Sequence, residues 1–265
     1  MRAFNYHRPS SLKDAAALAA KQAEAKYLAG GQSLVQAMKL RLSAPSDLVD
    51  LNAIGDLKAL KADGSGVTIG AMVRHAEVAA SSAVQKAIPA LAALAGTIGD
   101  RQVRHMGTIG GSLANNDPAA DYPAAVLGLG ATIVTNAGKH EADKFFKGLF
   151  ETALKPNEII TQVVFPVPKR AAYMKFKNPA SRFAIVGVFV ADFGGNVRVA
   201  VTGAGPCALR QADMEKALAA KFAPESVANI KVKADGLNND LHASPEYRAH
   251  LVTVMAKRAV EAALK

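Results

Sequence analysis

Two short segments, Ala29-Gly30-Gly31-Gln32-Ser33 and Thr108-Ile109-Gly110-Gly111-Ser112, constrain what this chain can fold into more than any other feature. Each pairs two glycines with a hydroxyl residue. Glycine admits positive φ and lets another group approach the main chain closely. Successive N–H groups in such a turn form a concave anion site, to which a nearby hydroxyl adds a donor. One such loop is an ordinary strand-to-helix turn. Two of them suggest a pyrophosphate gripped from both sides, the group a dinucleotide would bring.

Composition narrows the classes further. With 265 residues, 50% of them apolar, the chain can bury a sizeable core, as one large domain or as several small ones. Cys207 is the single cysteine, which excludes an internal disulfide and an iron–sulfur cluster held by this chain alone. The opening Met1-Arg2-Ala3-Phe4-Asn5 lacks the apolar core of a signal peptide. The longest mildly apolar run, residues 123–134, contains two glycines and is too short to span a bilayer. The expectation is a soluble cytoplasmic protein with no membrane span. The net charge is +10, yet the basic residues are scattered and not interleaved with aromatics. That argues against nucleic acid and for a basic surface that docks an acidic partner or stays solvated.

Along the chain, residues 4–7 start a strand, and Ser11 with Asp14 caps an alanine-rich helix to about residue 23. A strand over 26–29 runs into the first glycine segment, a helix over 34–42 stops before Pro45, and a strand over 47–51 closes this α/β unit. The first loop thus precedes a helix N-terminus, whose partial positive charge favours anions. Residues 58–61 and 67–69 flank Asp63-Gly64-Ser65-Gly66 as a hairpin. Helices are expected over 74–80, 82–95 and 121–127, and strands over 131–136 and 159–166. Residues 102–123, around the second loop, show neither helical nor strand period and read as a structured irregular segment. Pro166-Val167-Pro168 marks a boundary. Beyond it come strands over 172–176, 184–193 and 197–202, the last two joined by Gly194-Gly195-Asn196 as an antiparallel pair, then helices over 211–221 and 245–264.

The residues around the loops are more specific than the loops themselves. AGGQSL (29–34) and TIGGSLANNDPAADYPAA (108–125) resemble the two FAD signatures of the medium subunit of molybdenum hydroxylases, the family of carbon monoxide dehydrogenase and xanthine dehydrogenase. The resemblance covers essentially the whole chain, including Phe4-Asn5-Tyr6-His7-Arg8-Pro9, Tyr173-Met174-Lys175 and Arg182-Phe183-Ala184-Ile185-Val186-Gly187. It implies an α+β fold: two N-terminal α/β FAD-binding subdomains of the PCMH type, 1–55 and 56–168, and a C-terminal domain, 169–265, with a three-stranded antiparallel sheet and helices. It implies that Ala29, Gly30, Gly31, Gln32, Ser33 and Leu34, with Thr108, Ile109, Gly110, Gly111 and Ser112, hold the pyrophosphate. Ile98 is implied as an apolar contact, Asp121 as a polar contact on the adenosine side, and Ile159 or Ile160 as a flavin-side backbone contact. Lys175 is implied at the flavin's pyrimidine edge, where an ammonium favours the anionic reduced form.

By the same resemblance the chain is an electron-transfer subunit. A large molybdenum-cofactor subunit hydroxylates the substrate, a small subunit with two [2Fe-2S] clusters delivers electrons to FAD, and two heterotrimers associate. Neither a catalytic residue nor a metal ligand is implied on this chain. Many members carry Asn where Ser112 stands, so the hydrogen bond there differs. Two alternatives are a stand-alone FAD oxidoreductase of the wider flavoprotein family and a non-enzymatic interaction module. Gln32 stands where covalent relatives tether flavin through His or Cys, and it cannot form that bond, so FAD is expected to be non-covalent. Two decoys are read as structural: Gly203-Ala204-Gly205-Pro206-Cys207-Ala208 as a strand-to-helix turn in which Pro206 lacks an N–H, and His105 with Arg101 and Arg104 as a basic cluster.

Overall fold

A computed structural model describes residues 1–64 and 66–265. At the N-terminus, β1 (Asn5–His7), α1 (Leu12–Ala20), β2 (Lys26–Leu28), α2 (Leu34–Lys39) and β3 (Asp47–Asp50) form a parallel sheet of order β1-β3-β2. Ser11 caps α1 by accepting the Asp14 N–H at 3.1 Å. Strand β3, the central one, is buried at every position.

The second sheet is antiparallel throughout, which corrects the α/β expectation for residues 56–168. Strands β4 (Leu60–Asp63) and β5 (Gly66–Gly70) form the expected hairpin, with Ser65 of its turn outside the described residues. Six helices follow: α3 (His75–Ala80), α4 (Ser82–Ala87), α5 (Pro89–Gly96), α6 (Arg101–Met106), α7 (Ile109–Asn115) and α8 (Tyr122–Leu129). Then come β6 (Thr132–Thr135), β7 (Lys139–Glu141), the single turn α9 (Ala142–Phe145), a separate hairpin of β8 (Phe146–Gly148) and β9 (Glu151–Thr152), and β10 (Ile160–Phe165). Strand β10 inserts between β5 and β6, giving the order β4-β5-β10-β6-β7. The helix expected over 82–95 breaks at Pro89, which has no N–H to donate and pushes Ile88 out of helical geometry (φ −139°). The segment expected to be irregular contains α6 and α7, each capped by its own side chain: Asp100 accepts the Val103 N–H, and Thr108 accepts the Gly111 N–H.

The C-terminal sheet has four strands rather than three: β11 (Arg170–Lys177), β12 (Ala184–Asp192), β13 (Val197–Thr202) and β14 (Leu209–Arg210), all antiparallel. Two residues are too few to show alternation, so β14 left no mark in the sequence. Helices α10 (Ala212–Ala220), α11 (Glu225–Ala228) and α12 (Pro245–Ala263) complete the chain. Strand β12 is buried along its whole length because both faces are covered. Val186, Val188, Val190 and Val199 pack with Met214, Val252 and Met255 beneath α10 and α12. On the other face, Phe189, Ala191 and Ala200 join the core of the middle unit, including Leu91, Val126 and Leu129. No helix among the described residues is long and apolar enough to cross a membrane.

Candidate cofactor site

The two glycine segments meet. A Cβ placed on Gly30 would stand 2.0 Å from the Met106 carbonyl oxygen and 2.8 Å from the Gly107 Cα, so main chain lies against main chain. Gly31 takes φ +71°, and Gly111 faces Ala29. The first loop is braced from behind: Asn52 donates to the Ala29 carbonyl at 3.1 Å and to Asp50 at 2.7 Å, and Asp50 also accepts from Tyr6 at 2.5 Å. Burial pushes the Asp50 carboxyl up, but the hydrogen bonds from Tyr6 and Asn52 prevail and hold it below the usual range. This brace escaped the sequence reading, although an aspartate ending a fully buried strand was its signal.

The loops differ in what they offer an anion. In the second, the N–H groups of Ile109, Gly110 and Gly111 are already used, donating to the Val73 carbonyl, the Ala71 carbonyl and Thr108 Oγ1. Among the described residues no protein acceptor takes the N–H groups of Gly31, Gln32 and Ser33. The first loop, which opens α2, therefore supplies the free donors. The second supplies close approach: a Cβ on Gly110 would stand 2.6 Å from the Ala71 Cβ, so only glycine lets α7 seat there. The Ser112 hydroxyl, half-buried on α7, has no intramolecular partner among the described residues. A pyrophosphate between the loops fits this donor set.

Asp121 and Lys175 stand together rather than at separate ends of a ligand. The Lys175 ammonium lies 3.0 Å from the Asp121 carboxylate and donates to the Thr97 carbonyl at 3.1 Å, and Tyr173 donates to Asp121 at 2.5 Å. The side chains of Lys175 and Asp121 are only 5% and 4% exposed. Burial pushes the Asp121 carboxyl up, opposed by Lys175 and Tyr173. An ion pair this short sets Asp121 and Lys175 beside the same part of any bound ligand, whereas the resemblance implied them at its two ends. Asp121 makes no side-chain cap to α8, and the Lys175 side chain is shielded from solvent. Ile98 follows Thr97, and its carbonyl accepts from Arg104 at 3.0 Å, which fixes this turn beside the same cluster. Ile159 packs with Tyr27 and Ala29 in the N-terminal core, whereas Ile160 belongs to the core of the middle unit.

The decoys are occupied with structure. Arg248 donates to the Gly203 carbonyl at 2.9 Å, and Asn238 donates to the Gly205 carbonyl at 2.7 Å, so the turn at 203–208 is cross-linked from within. Arg101, Arg104 and His105 line a cleft of about 440 Å³ floored by alanines.

His75 was absent from the sequence reading. Its N–H donates to the Gly107 carbonyl at 3.0 Å, and its ring packs on Gly107 and lies 5.3 Å from that of Tyr122. Burial, reinforced by Arg104, pulls its pKa from 6.5 down to about 4. A folded-state value below the unfolded one means the unfolded chain binds the extra proton. The stabilisation from a neutral His75 is therefore complete above pH 6.5 and lost as the pH falls towards 4. A loss of about 3 kcal/mol follows from that shift. Thermal melts between pH 7 and 4 are expected to fall more steeply for the native protein than for His75→Phe, and parallel curves would show that His75 is not the group responsible.

Residues 2–168 match the family model described as "FAD binding domain in molybdopterin dehydrogenase". The chain belongs to this family: it is an FAD-binding subunit of the molybdenum hydroxylase type, an oxidoreductase component whose cofactor is FAD. It is 36% identical to the carbon monoxide dehydrogenase medium chain of Hydrogenophaga pseudoflava, over 98% of this chain and 96% of that one. It is 35% identical to the nicotine 6-hydroxylase medium subunit of Paenarthrobacter nicotinovorans, over 97% and 96%. Its fold superposes on a chain of quinoline 2-oxidoreductase from Pseudomonas putida 86 with a TM-score of 0.90 at 29% identity, covering 99% and 97%.

Proposed function

We propose that this chain holds FAD non-covalently, with the pyrophosphate between Ala29–Leu34 and Thr108–Ser112, and relays electrons within a molybdenum hydroxylase complex. The observation that carries the reading is the backbone contact of Gly30 with Met106 and Gly107, which leaves the N–H groups of Gly31, Gln32 and Ser33 free. Those N–H groups and the Ser112 hydroxyl bind the phosphates. Lys175 and Asp121, next to Ile98, lie at the flavin end and orient the ring, and Ile159 or Ile160 supplies a main-chain contact. When bound, FAD supplies the electron-accepting ring; the chain supplies position and electrostatics.

The relatives' designation as medium chains supports two companions: a large molybdenum-cofactor subunit and a small [2Fe-2S] subunit, paired as a dimer of heterotrimers in the cytoplasm. Electrons enter FAD from the clusters and leave to a final acceptor. The units 1–55, 56–168 and 169–265 serve as two cofactor-binding subdomains and a C-terminal domain, a division supported by each sheet drawing its strands from one of them. The visible spectrum of the purified protein tests the cofactor assignment. Flavin bands released by acid or heat are expected. Flavin retained after denaturation would establish a covalent link, against Gln32, and a colourless protein that takes up no added FAD would overturn the proposal.

A further inference from the structure

We infer that Tyr173 is a positioning residue of the flavin end of the site: acting through Asp121, its hydroxyl fixes the Lys175 ammonium and leaves that ammonium's field available to the cofactor. The inference rests on Lys175 lying at the flavin, as proposed above. Tyr173 and Lys175 alternate on β11 and so share one face of the C-terminal sheet. On that face the Tyr173 hydroxyl donates to Asp121 Oδ1 at 2.5 Å, while the Lys175 ammonium lies 3.0 Å from the same Oδ1 and donates to Asp121 Oδ2 and to the Thr97 carbonyl, each at 3.1 Å.

The fold makes room for the phenol. A Cβ on Gly187 would stand 2.2 Å from the Tyr173 oxygen, so the bare strand position is what lets the hydroxyl reach the carboxylate. Phe189 stacks on the same ring at 6.3 Å between centroids. Burial and the neighbouring Asp121 charge keep the phenol protonated, so it acts only as a donor towards Asp121.

Donor arithmetic then decides the geometry. An ammonium has three N–H groups. With one N–H shared between the two Asp121 oxygens and one given to Thr97, the third remains for the cofactor. A carboxylate that already accepts a phenol hydrogen bond draws less on the ammonium, so the lysine's charge is less completely cancelled. Removing the phenol lets Asp121 pair more fully with Lys175, which mimics part of the loss of the lysine charge.

The test is the flavin midpoint potential of the FAD-loaded protein in its complex. Lys175→Gln is expected to lower it, because a positive charge that favours the reduced anion is gone. Tyr173→Phe is expected to lower it by a smaller amount, and the double variant to match Lys175→Gln alone. Gly187→Ala, which drives a methyl into the phenol without removing it, is expected to act in the same direction as Tyr173→Phe and serves if that variant loads FAD poorly. A Tyr173→Phe potential that is unchanged or raised, or a double variant whose shift is the sum of the two, overturns the inference. A Lys175→Gln potential equal to the native one overturns the placement of Lys175 on which it rests.

Discussion

Gly30→Ala is expected to give a folded protein without flavin. The added methyl would stand 2.0 Å from the Met106 carbonyl oxygen and 2.8 Å from the Gly107 Cα, distances at which no side-chain rotation can help because both neighbours are main chain. The loops must part. The free N–H groups of Gly31, Gln32 and Ser33 then no longer face the second loop, and a bound pyrophosphate would keep one wall only. Losing two charge-assisted hydrogen bonds at about 1.5 kcal/mol each weakens FAD by roughly 100-fold or more. Gly111→Ala is the internal control. Its methyl would meet Thr108 Oγ1 at 3.0 Å and the Ala29 Cβ at 3.5 Å, side-chain atoms that can yield, at the expense of a cap worth about 1 kcal/mol. Flavin occupancy measured by absorbance, with circular dichroism to confirm the fold, should therefore rank native above Gly111→Ala above Gly30→Ala. Equal occupancy in native and Gly30→Ala would mean that the contact between the loops is not what forms the site.

The same contact shows where sequence stops being informative. Gly30-Gly31 and Gly110-Gly111 were legible as close-approach positions, because glycine alone lets another group come this near the main chain. What they approach was not legible, since Met106 and Ala71 carry no mark of being neighbours. Long elements with a clear period were legible for the opposite reason: β12 and α12 are written in their own residues. The short α6 and α7 were not, because six or seven residues show less than two turns of pattern and their formation depends on the caps Asp100 and Thr108. The antiparallel middle sheet was hidden by the order of pairing, with β10 returning between β5 and β6 after most of the unit has been made. In the site, Lys175 could be named from resemblance, but its burial depends on Asp121, more than fifty residues upstream and on a different element. Tyr173 was closer to hand: two positions from Lys175 on an expected strand, it had to share that residue's face.

Lys175→Met is expected to be the most destabilising single exchange among the site's charged residues. It leaves the Asp121 carboxylate buried with only the Tyr173 hydroxyl to answer it, and removing one partner of a buried ion pair costs about 3–5 kcal/mol. For a chain of this length that is a fall on the order of 10 °C in melting temperature. The deficit is expected to depend on pH in a definite direction. Burial already pushes the Asp121 carboxyl up, and without Lys175 it rises further above its unfolded value. The folded variant then binds a proton that the unfolded chain does not, so it gains stability relative to the native protein as the pH falls. Melts at pH 8 and pH 5 should show a wide gap at the first and a narrower one at the second. Adding Asp121→Asn removes the orphaned charge and keeps an acceptor for Tyr173, and the double variant should recover most of the stability at pH 8. Flavin binding should not recover with it, because the lysine's N–H and its charge are still missing. Stability restored without flavin would separate the two roles of this pair: Asp121 is needed in the fold because Lys175 is there, and Lys175 is there for the cofactor.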